Sequence, residues 1–387
     1  MIRKRLLATF ALALGSAALL PQPGAAQTTP KRYIAFGDSI TFGIGDDPNR
    51  ANPGYPPRLE QLLNSRGVSA TVINAGLSGE DTAGALSRVN RVLQDGGDFF
   101  LLMEGTNDIN EKVSRETTLF NLDQLAARAE AKGLQAVHGT VPPRLPSANY
   151  DGNNHITADL AAGVRELAFS KQRRLADPFE AFFHGTADFT LLYTGGSDKL
   201  HPNAAGYDLM ARVFADVLTN VDTMPPVTGV VNPADGETNV PNTTPVSLAL
   251  YDFGAGIDLA NTKLLINGQQ VDTPLTGSTK KVEISYAPPQ PWLGIITVGI
   301  HTRDTATPPN TVDRTLSTFI AAGTTFLPGD IDRNGRVDGF DLLLLAPAFG
   351  ARRSDANFRL TADLNGDGVV DGLDLAILAS NFGHSTF

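Results

Sequence analysis

Between residues 31 and 221, short apolar runs alternate with longer stretches in which apolar positions recur every three or four residues. The runs at 33–36, 70–74, 99–103 and 135–141 predict strands; the second is too short and too rich in β-branched residues for a helix. The longer stretches at 58–66, 82–93, 119–132, 158–171 and 204–218 predict helices, and in the first of them Leu59, Leu62 and Leu63 share one face. Strands alternating with helices imply an α/β fold in three layers, a parallel sheet covered on both faces, with ligands held at the carboxyl ends of the strands.

The pattern changes near Met224-Pro225-Pro226. From there to about residue 322, short β-rich segments at 246–251, 263–266, 282–286 and 295–301 are separated by Pro, Gly, Asn and Asp turns, which predicts a β-sandwich. Trp292 follows Pro291 in a turn-rich stretch and reads as a packing or rim residue rather than a sugar-stacking platform. Asn232-Pro233-Ala234-Asp235-Gly236 with Val240-Pro241 resembles the immunoglobulin-like modules appended to exported bacterial enzymes, and that resemblance implies a spacer. The final segment repeats itself with a period of 33 residues. The chain thus divides into residues 1–26, 27–222, 223–323 and 324–387.

The first of these has the three regions of a secretory signal peptide: Arg3-Lys4-Arg5, an apolar run from Leu6 to Leu20, and small residues Gly24 and Ala26 that suit cleavage before Gln27. The run is shorter than the roughly 20 residues of a membrane helix, so a soluble, exported mature chain without a transmembrane segment is expected. Cleavage removes three cations and no acids, which takes the formal net charge from −10 to −13. So acidic a chain argues against nucleic acid or anionic membranes as partners. The absence of cysteine excludes disulfides, zinc-thiolate sites and a cysteine nucleophile.

Four fragments carry the chemistry: Gly37-Asp38-Ser39, Asn74-Ala75-Gly76-Leu77-Ser78-Gly79, Gly105-Thr106-Asn107-Asp108 and Asp198-Lys199-Leu200-His201-Pro202. A serine attacks an ester carbonyl when a base removes its proton, a third group orients that base, and hydrogen-bond donors receive the oxyanion. Of the six histidines, His138 falls in a predicted strand, His155 in a polar loop, His184 beside Phe182 and Phe183, His301 in the sandwich and His384 in the tail. Only His201 has an aspartate at a short offset and a Pro-Asn pair opening a helix behind it. The Gly-x-Ser-x-Gly elbow of α/β-hydrolases is absent.

In this order, the fragments resemble the SGNH/GDSL family of serine hydrolases over residues 31–221. The resemblance implies Ser39 as nucleophile, His201 as general base and Asp198 as its orienting partner. It further implies an oxyanion hole made by the N–H of Ser39, the N–H of Gly79 and the amide of Asn107. Gly76 is an alternative donor; Gly79 is favoured because the following residues read as the start of a helix, whose first N–H groups point outward.

In the tail, Asp330, Asp332, Asn334, Arg336, Asp338 and Asp341 stand at loop positions one, three, five, seven, nine and twelve. Asp363, Asn365, Asp367, Val369, Asp371 and Asp374 repeat that spacing, with Gly335 and Gly368 at position six. Calcium needs several hard oxygen ligands on a sharply turning loop, position seven contributing a backbone carbonyl, so two EF-hand-like Ca2+ sites are expected. Asp at position twelve and the apolar helix behind each loop are similar to dockerin type I domains, which implies a cohesin-type partner. Positions ten and eleven depart from that pattern, with Gly339-Phe340 and Gly372-Leu373 where many dockerins carry a polar pair. The combined expectation is a secreted serine ester hydrolase without a catalytic cofactor, acting on acetylated polysaccharide. A lysophospholipase or thioesterase is the alternative within the class, and a non-catalytic adhesion protein the alternative outside it.

Overall fold

The computed structural model describes residues 29–145, 154–183, 185–322, 327–333, 335–352, 355 and 357–385. The leader at 1–26, His184, Asn334 and residues 146–153 lie outside the described residues.

The apolar run at 33–36 is the buried part of β1 (Lys31–Gly37), which ends where the chain turns into the short helix α1 (Ser39–Phe42). There follow α2 (Tyr55–Ser65), β2 (Ala70–Gly76), α3 (Thr82–Val92), β3 (Phe99–Met103), α4 (Thr106–Glu111), α5 (Arg115–Glu130), β4 (Gln135–Gly139), α6 (His155–Ser170), β5 (Arg174–Ala176), α7 (Pro178–Phe183) and α8 (Ala204–Leu218). The strands form one parallel sheet in the order β2-β1-β3-β4-β5. Helix α2, with α8 packed on it, covers one face, and α3, α5 and α6 cover the other, as a three-layer α/β unit requires. Its core includes Tyr33, Phe36, Phe100 and Tyr55, the last stacked on Phe214 at 4.8 Å between ring centroids. Helix α6 is buried along Leu160, Ala161, Ala162, Val164 and Arg165 because it is covered on both sides, by the sheet and by strand β6 (Val227–Asn232).

The remaining strands are β7 (Val246–Tyr251), β8 (Lys263–Ile266), β9 (Gln269–Val271), β10 (Leu275–Ser278), β11 (Lys281–Tyr286), β12 (Ile295–Arg303) and β13 (Thr311–Ile320). They make two four-stranded antiparallel sheets, β10-β11-β7-β6 and β13-β12-β8-β9. Leu248, Leu250, Val282 and Ile284 of one face Leu264, Val298, Ile300 and Phe319 of the other in a single sandwich core. Trp292 is a packing residue, 7% exposed, near the rings of Tyr286 and Phe319, with Nε1 donating to the Thr244 carbonyl at 2.8 Å.

The sandwich is not a free spacer. Buried Arg165 of α6 donates to Asp177 at 2.7 Å and to Glu180 at 3.3 Å, and at 2.7 Å to the carbonyl of Thr228 in β6. From β13, Arg314 reaches Glu180 at 2.5 Å. The aromatic contact of Phe169 with Tyr251 lies on the same interface. Burial would raise the Asp177 carboxyl, but the Arg165 guanidinium outweighs it and holds the group below its usual range. Two of these contacts, Arg165 to the Thr228 carbonyl and Arg314 to Glu180, cross between the units and tie the sandwich to the α/β unit through charged groups.

In the tail, α9 (Gly339–Leu345) and α10 (Gly372–Asn381) each begin with a capping box, Asp338 with Asp341 and Asp371 with Asp374. The repeats embrace reciprocally. Val337 N–H donates to His384 O at 3.0 Å and Gly383 N–H to Val337 O at 2.7 Å; one repeat later, Val370 N–H donates to Ala351 O at 2.8 Å and Gly350 N–H to Val370 O at 2.7 Å. Among the described residues no helix is long and apolar enough to cross a membrane.

Candidate active site

The sheet order puts β1 between β2 and β3, so the residues following these three strands converge on one edge. Gly37, the last residue of β1, has no room for a side chain: a Cβ there would lie 2.3 Å from the Met103 carbonyl and 2.2 Å from Thr41 Oγ1. Asp38 caps α1 by accepting from the Ile40 N–H at 2.8 Å, and Ser39 is its first residue, 4% exposed. Gly43 closes this single turn at φ 109°, donating to the Ser39 carbonyl at 2.9 Å.

His201 lies on the loop before α8. Its Nε2 is 2.9 Å from Ser39 Oγ and its Nδ1 is 2.9 Å from Asp198 Oδ2. Asp198 Oδ1 accepts from the N–H groups of Leu200 and His201, both at 3.0 Å. Burial would raise the Asp198 carboxyl; these backbone donors and the imidazole outweigh it and keep the group below its ordinary range. An ionised carboxylate can only accept, so Nδ1 carries the proton and Nε2 presents a lone pair to the serine hydroxyl. The loop after Ser39 leans on this histidine: a Cβ on Gly45 would lie 2.8 Å from His201 Cβ. Asp46 pins that loop by accepting from Arg58 at 2.6 and 2.8 Å and from Gly54 N–H at 2.8 Å, while Tyr207 Oη donates to the Ile44 carbonyl at 2.6 Å.

The two glycines considered as oxyanion donors differ. Gly76 is the end of β2; its N–H already donates to Asn74 Oδ1 at 3.0 Å, and a Cβ would lie 2.2 Å from the Phe42 nitrogen, so it serves the approach of β2 to α1. Gly79 has φ 79° and open space where a Cβ would be. It is not at a helix start, as the sequence suggested: α3 begins at Thr82, where Asp81 accepts from Gly84 N–H at 2.7 Å and Asp108 accepts from Thr82 N–H at 2.9 Å. Gly79 instead belongs to the tight turn closed by Glu80 N–H donating to the Leu77 carbonyl. Asn107, near the start of α4, donates from Nδ2 to the Glu80 carbonyl at 2.7 Å. Its neighbour Asp108 faces inward, accepting also from the hydroxyls of Thr82 at 2.5 Å and Thr118 at 3.1 Å, which ties α3, α4 and α5 together.

Sequence reasoning missed a group of buried acids behind the serine turn. Burial raises the Asp38 carboxyl to about 6. Glu104, which follows β3, is pushed well up by burial and by the nearby Asp38 and Glu80 carboxylates. Glu80 is paired with Arg88, whose guanidinium lies 4.1 Å from the centroid of the Phe36 ring.

In the first acidic loop of the tail three of the predicted residues come together. Carboxylate oxygens of Asp330, Asp332 and Asp341 come within 4.8 Å of one another. Asp330 Oδ2 accepts from Gly335 N–H and Asp363 Oδ2 from Gly368 N–H, both at 3.0 Å, so the two first positions behave alike. Asp341 and Asp374 at position twelve accept from backbone N–H groups at the head of their loops, at 2.6 and 2.7 Å. Asp338 and Asp371 cap the helices, Arg336 and Val369 form backbone bridges with Ser385 and Arg352, and Asn365 and Asp367 hydrogen-bond each other.

Comparison with known proteins agrees with both halves of this picture. Residues 35–209 match the GDSL-like Lipase/Acylhydrolase family, and residues 328–382 match the Dockerin type I domain. The chain is 31% identical to Esterase TesA of Pseudomonas aeruginosa over 120 residues, 31% of this chain and 56% of that one, so it spans little more than half the length of this curated relative. Similar solved structures include a putative lipolytic protein of the G-D-S-L family from Desulfitobacterium hafniense, at 20% identity, 48% of this chain, 99% of that chain and TM-score 0.40. Another is a catalytic mutant of Axe2, an acetylxylan esterase from Geobacillus stearothermophilus, at 21% identity, 48% of this chain, 92% of that chain and TM-score 0.41.

Proposed function

We propose that this chain, which carries a GDSL-like lipase/acylhydrolase domain and a dockerin type I domain, is a secreted serine ester hydrolase working through an acyl-enzyme. The observation that carries the reading is the unbroken hydrogen-bond chain from Ser39 Oγ through His201 to Asp198. Ser39 Oγ attacks the ester carbonyl carbon while its proton passes to His201 Nε2. The N–H groups of Ser39 and Gly79 and the Asn107 amide receive the oxyanion. Collapse expels the alcohol, which takes the proton from His201. Water, deprotonated by the same nitrogen, then attacks the acyl carbon and releases the acid and free Ser39.

The tail favours an acylated polysaccharide as substrate, since it suits an enzyme held in a polysaccharide-degrading assembly through a cohesin-type partner. A second reading, a lipid or thioester acyl chain, is favoured by exposed Phe42, Ile44 and Leu77, which follow the nucleophile and β2. The basic and apolar leader supports export, and the sandwich is taken as immunoglobulin-like on its two antiparallel sheets. The hydrolase, sandwich and tail modules are assigned to 27–222, 223–323 and 324–387. Calcium fits the tail on its own terms: the donors are hard oxygens, and Asp330 Oδ1 is buried without a hydrogen-bond partner among the described residues. Asp330, Asp332, Asp338 and Asp341, with Asn334 and the Arg336 carbonyl, would hold one ion; Asp363, Asn365, Asp367, Asp371 and Asp374, with the Val369 carbonyl, the other. These ions would fix the loops and take no part in ester cleavage.

Hydrolysis of acetylated xylo-oligosaccharides and of p-nitrophenyl esters of rising acyl length tests the reading, with Ser39→Ala and His201→Ala as controls. Each control should lose at least about 10³-fold in kcat, because nucleophile and base act as a unit. Ser39→Ala activity within tenfold of the parent would remove the nucleophile. A preference for acyl chains of eight or more carbons, about tenfold or greater, would replace the sugar-ester reading by the lipid one.

A further inference from the structure

An oxyanion donor is useful only if its amide is turned the right way. The two ends of an Asn side chain are nearly the same size, so partners decide which end faces the substrate. Around Asn107 these partners run in a line back to one buried cation. Arg144, 7% exposed, donates from Nη1 to Asn110 Oδ1 at 2.8 Å and from Nη2 to the Thr106 carbonyl at 3.3 Å. Asn110 Nδ2 in turn lies 3.4 Å from Asn107 Oδ1. Asn107 Nδ2 then gives one hydrogen to the Glu80 carbonyl and keeps a second for a ligand.

We propose that Arg144 and Asn110 are positioning residues that set the polarity of the Asn107 amide. The inference rests on the reading of Asn107 as an oxyanion donor. A guanidinium can only donate, so Asn110 must present its oxygen to Arg144 and its NH2 to Asn107. Asn107 must then present its oxygen to Asn110, and its NH2 faces the other way. The Arg144 backbone is itself held at both ends, its N–H donating to Asn154 Oδ1 at 2.7 Å and its carbonyl accepting from Asn154 Nδ2 at 2.9 Å. The next residue, Leu145, donates to the Lys199 carbonyl at 2.8 Å, within the loop that carries Asp198 and His201. One segment therefore registers the oxyanion amide against the general base.

The test is a pair of mutant cycles on the full chain with p-nitrophenyl acetate. Asn110→Leu removes the donor; Asn110→Asp removes it while keeping an acceptor for Arg144, which covers the case in which the leucine variant fails to fold. Each is combined with Asn107→Ala. In the parent, the Asn110 variants should lower kcat about tenfold with KM within about twofold; after Asn107→Ala, the same changes should alter kcat less than about twofold, as residues acting through one another are not additive. Equal losses in both backgrounds, or an unchanged kcat in the parent, would overturn the relay while leaving the esterase reading intact. If Asn107→Ala alone leaves kcat unchanged, the oxyanion assignment and the relay both fall, and Ser39→Ala then reports separately on the nucleophile.

Discussion

Asp38 is placed beside Ser39 at a cost that depends on pH. Its fully buried carboxyl is raised from 3.8 to about 6, so between these values the folded state binds the proton that the unfolded chain releases. The stabilising contribution is therefore complete below 3.8 and is lost as pH rises through about 6; by pH 7.5 the loss is about 3 kcal/mol. Asp38→Asn keeps an oxygen for the Ile40 N–H and removes the charge. Denaturant titration should show the variant gaining about 2–3 kcal/mol over the parent at pH 7.5, and little at pH 3.5. An equal gain at both values would mean that the effect is steric. Ser39, Asn107, Asp198 and His201 were legible in the sequence because each sits in a short local motif whose chemistry is self-contained. Arg144 and Glu104 were not: their surroundings come from residues far along the chain, and neither stands in a pattern distinguishable from an ordinary loop or strand end.

At the scale of elements, the strands and long helices followed from periodicity, and the predicted bounds of β3 and α8 agree with those observed. In the α/β unit what escaped was short: β5 has three residues, and α1, α4 and α7 have six or fewer, too few for a period to declare itself, whereas in the sandwich β6 and the ten-residue β13 also went unread. Helix α3 was expected to present free N–H groups at Gly79, yet its start is sealed by Asp81 and, from another element, Asp108. That long-range cap gives a prediction. Asp108→Ala leaves the Thr82 N–H and hydroxyl short of an acceptor, while the Thr118 hydroxyl keeps the Ser114 carbonyl, and should destabilise the α/β unit by about 2–3 kcal/mol. The denaturation midpoint of the full chain should fall with its slope unchanged; a shift below about 0.5 kcal/mol would mean that the cap is dispensable.

For the whole molecule, three buried clusters do not mean three independent units. Arg165 serves the α/β unit and the sandwich at once, so Arg165→Met strands Asp177 and leaves Glu180 dependent on Arg314. A loss of about 3–5 kcal/mol is expected, shared by both units. Calorimetry of the full chain should resolve one transition for residues up to 322 and a second for the tail. A chelator should lower the second and leave ester hydrolysis unchanged, since ions that bind only the folded loops stabilise only them. Separate melting of the sandwich would sever the link, and a tail indifferent to the chelator would remove the calcium sites. The Arg314–Glu180 contact also has a mechanical meaning. It joins β13 to α7, while Arg165 joins α6 to β6, and neither contact is made by the loop bearing Asp198 and His201. The sandwich is thus anchored on helices that carry none of Ser39, Asp198 and His201.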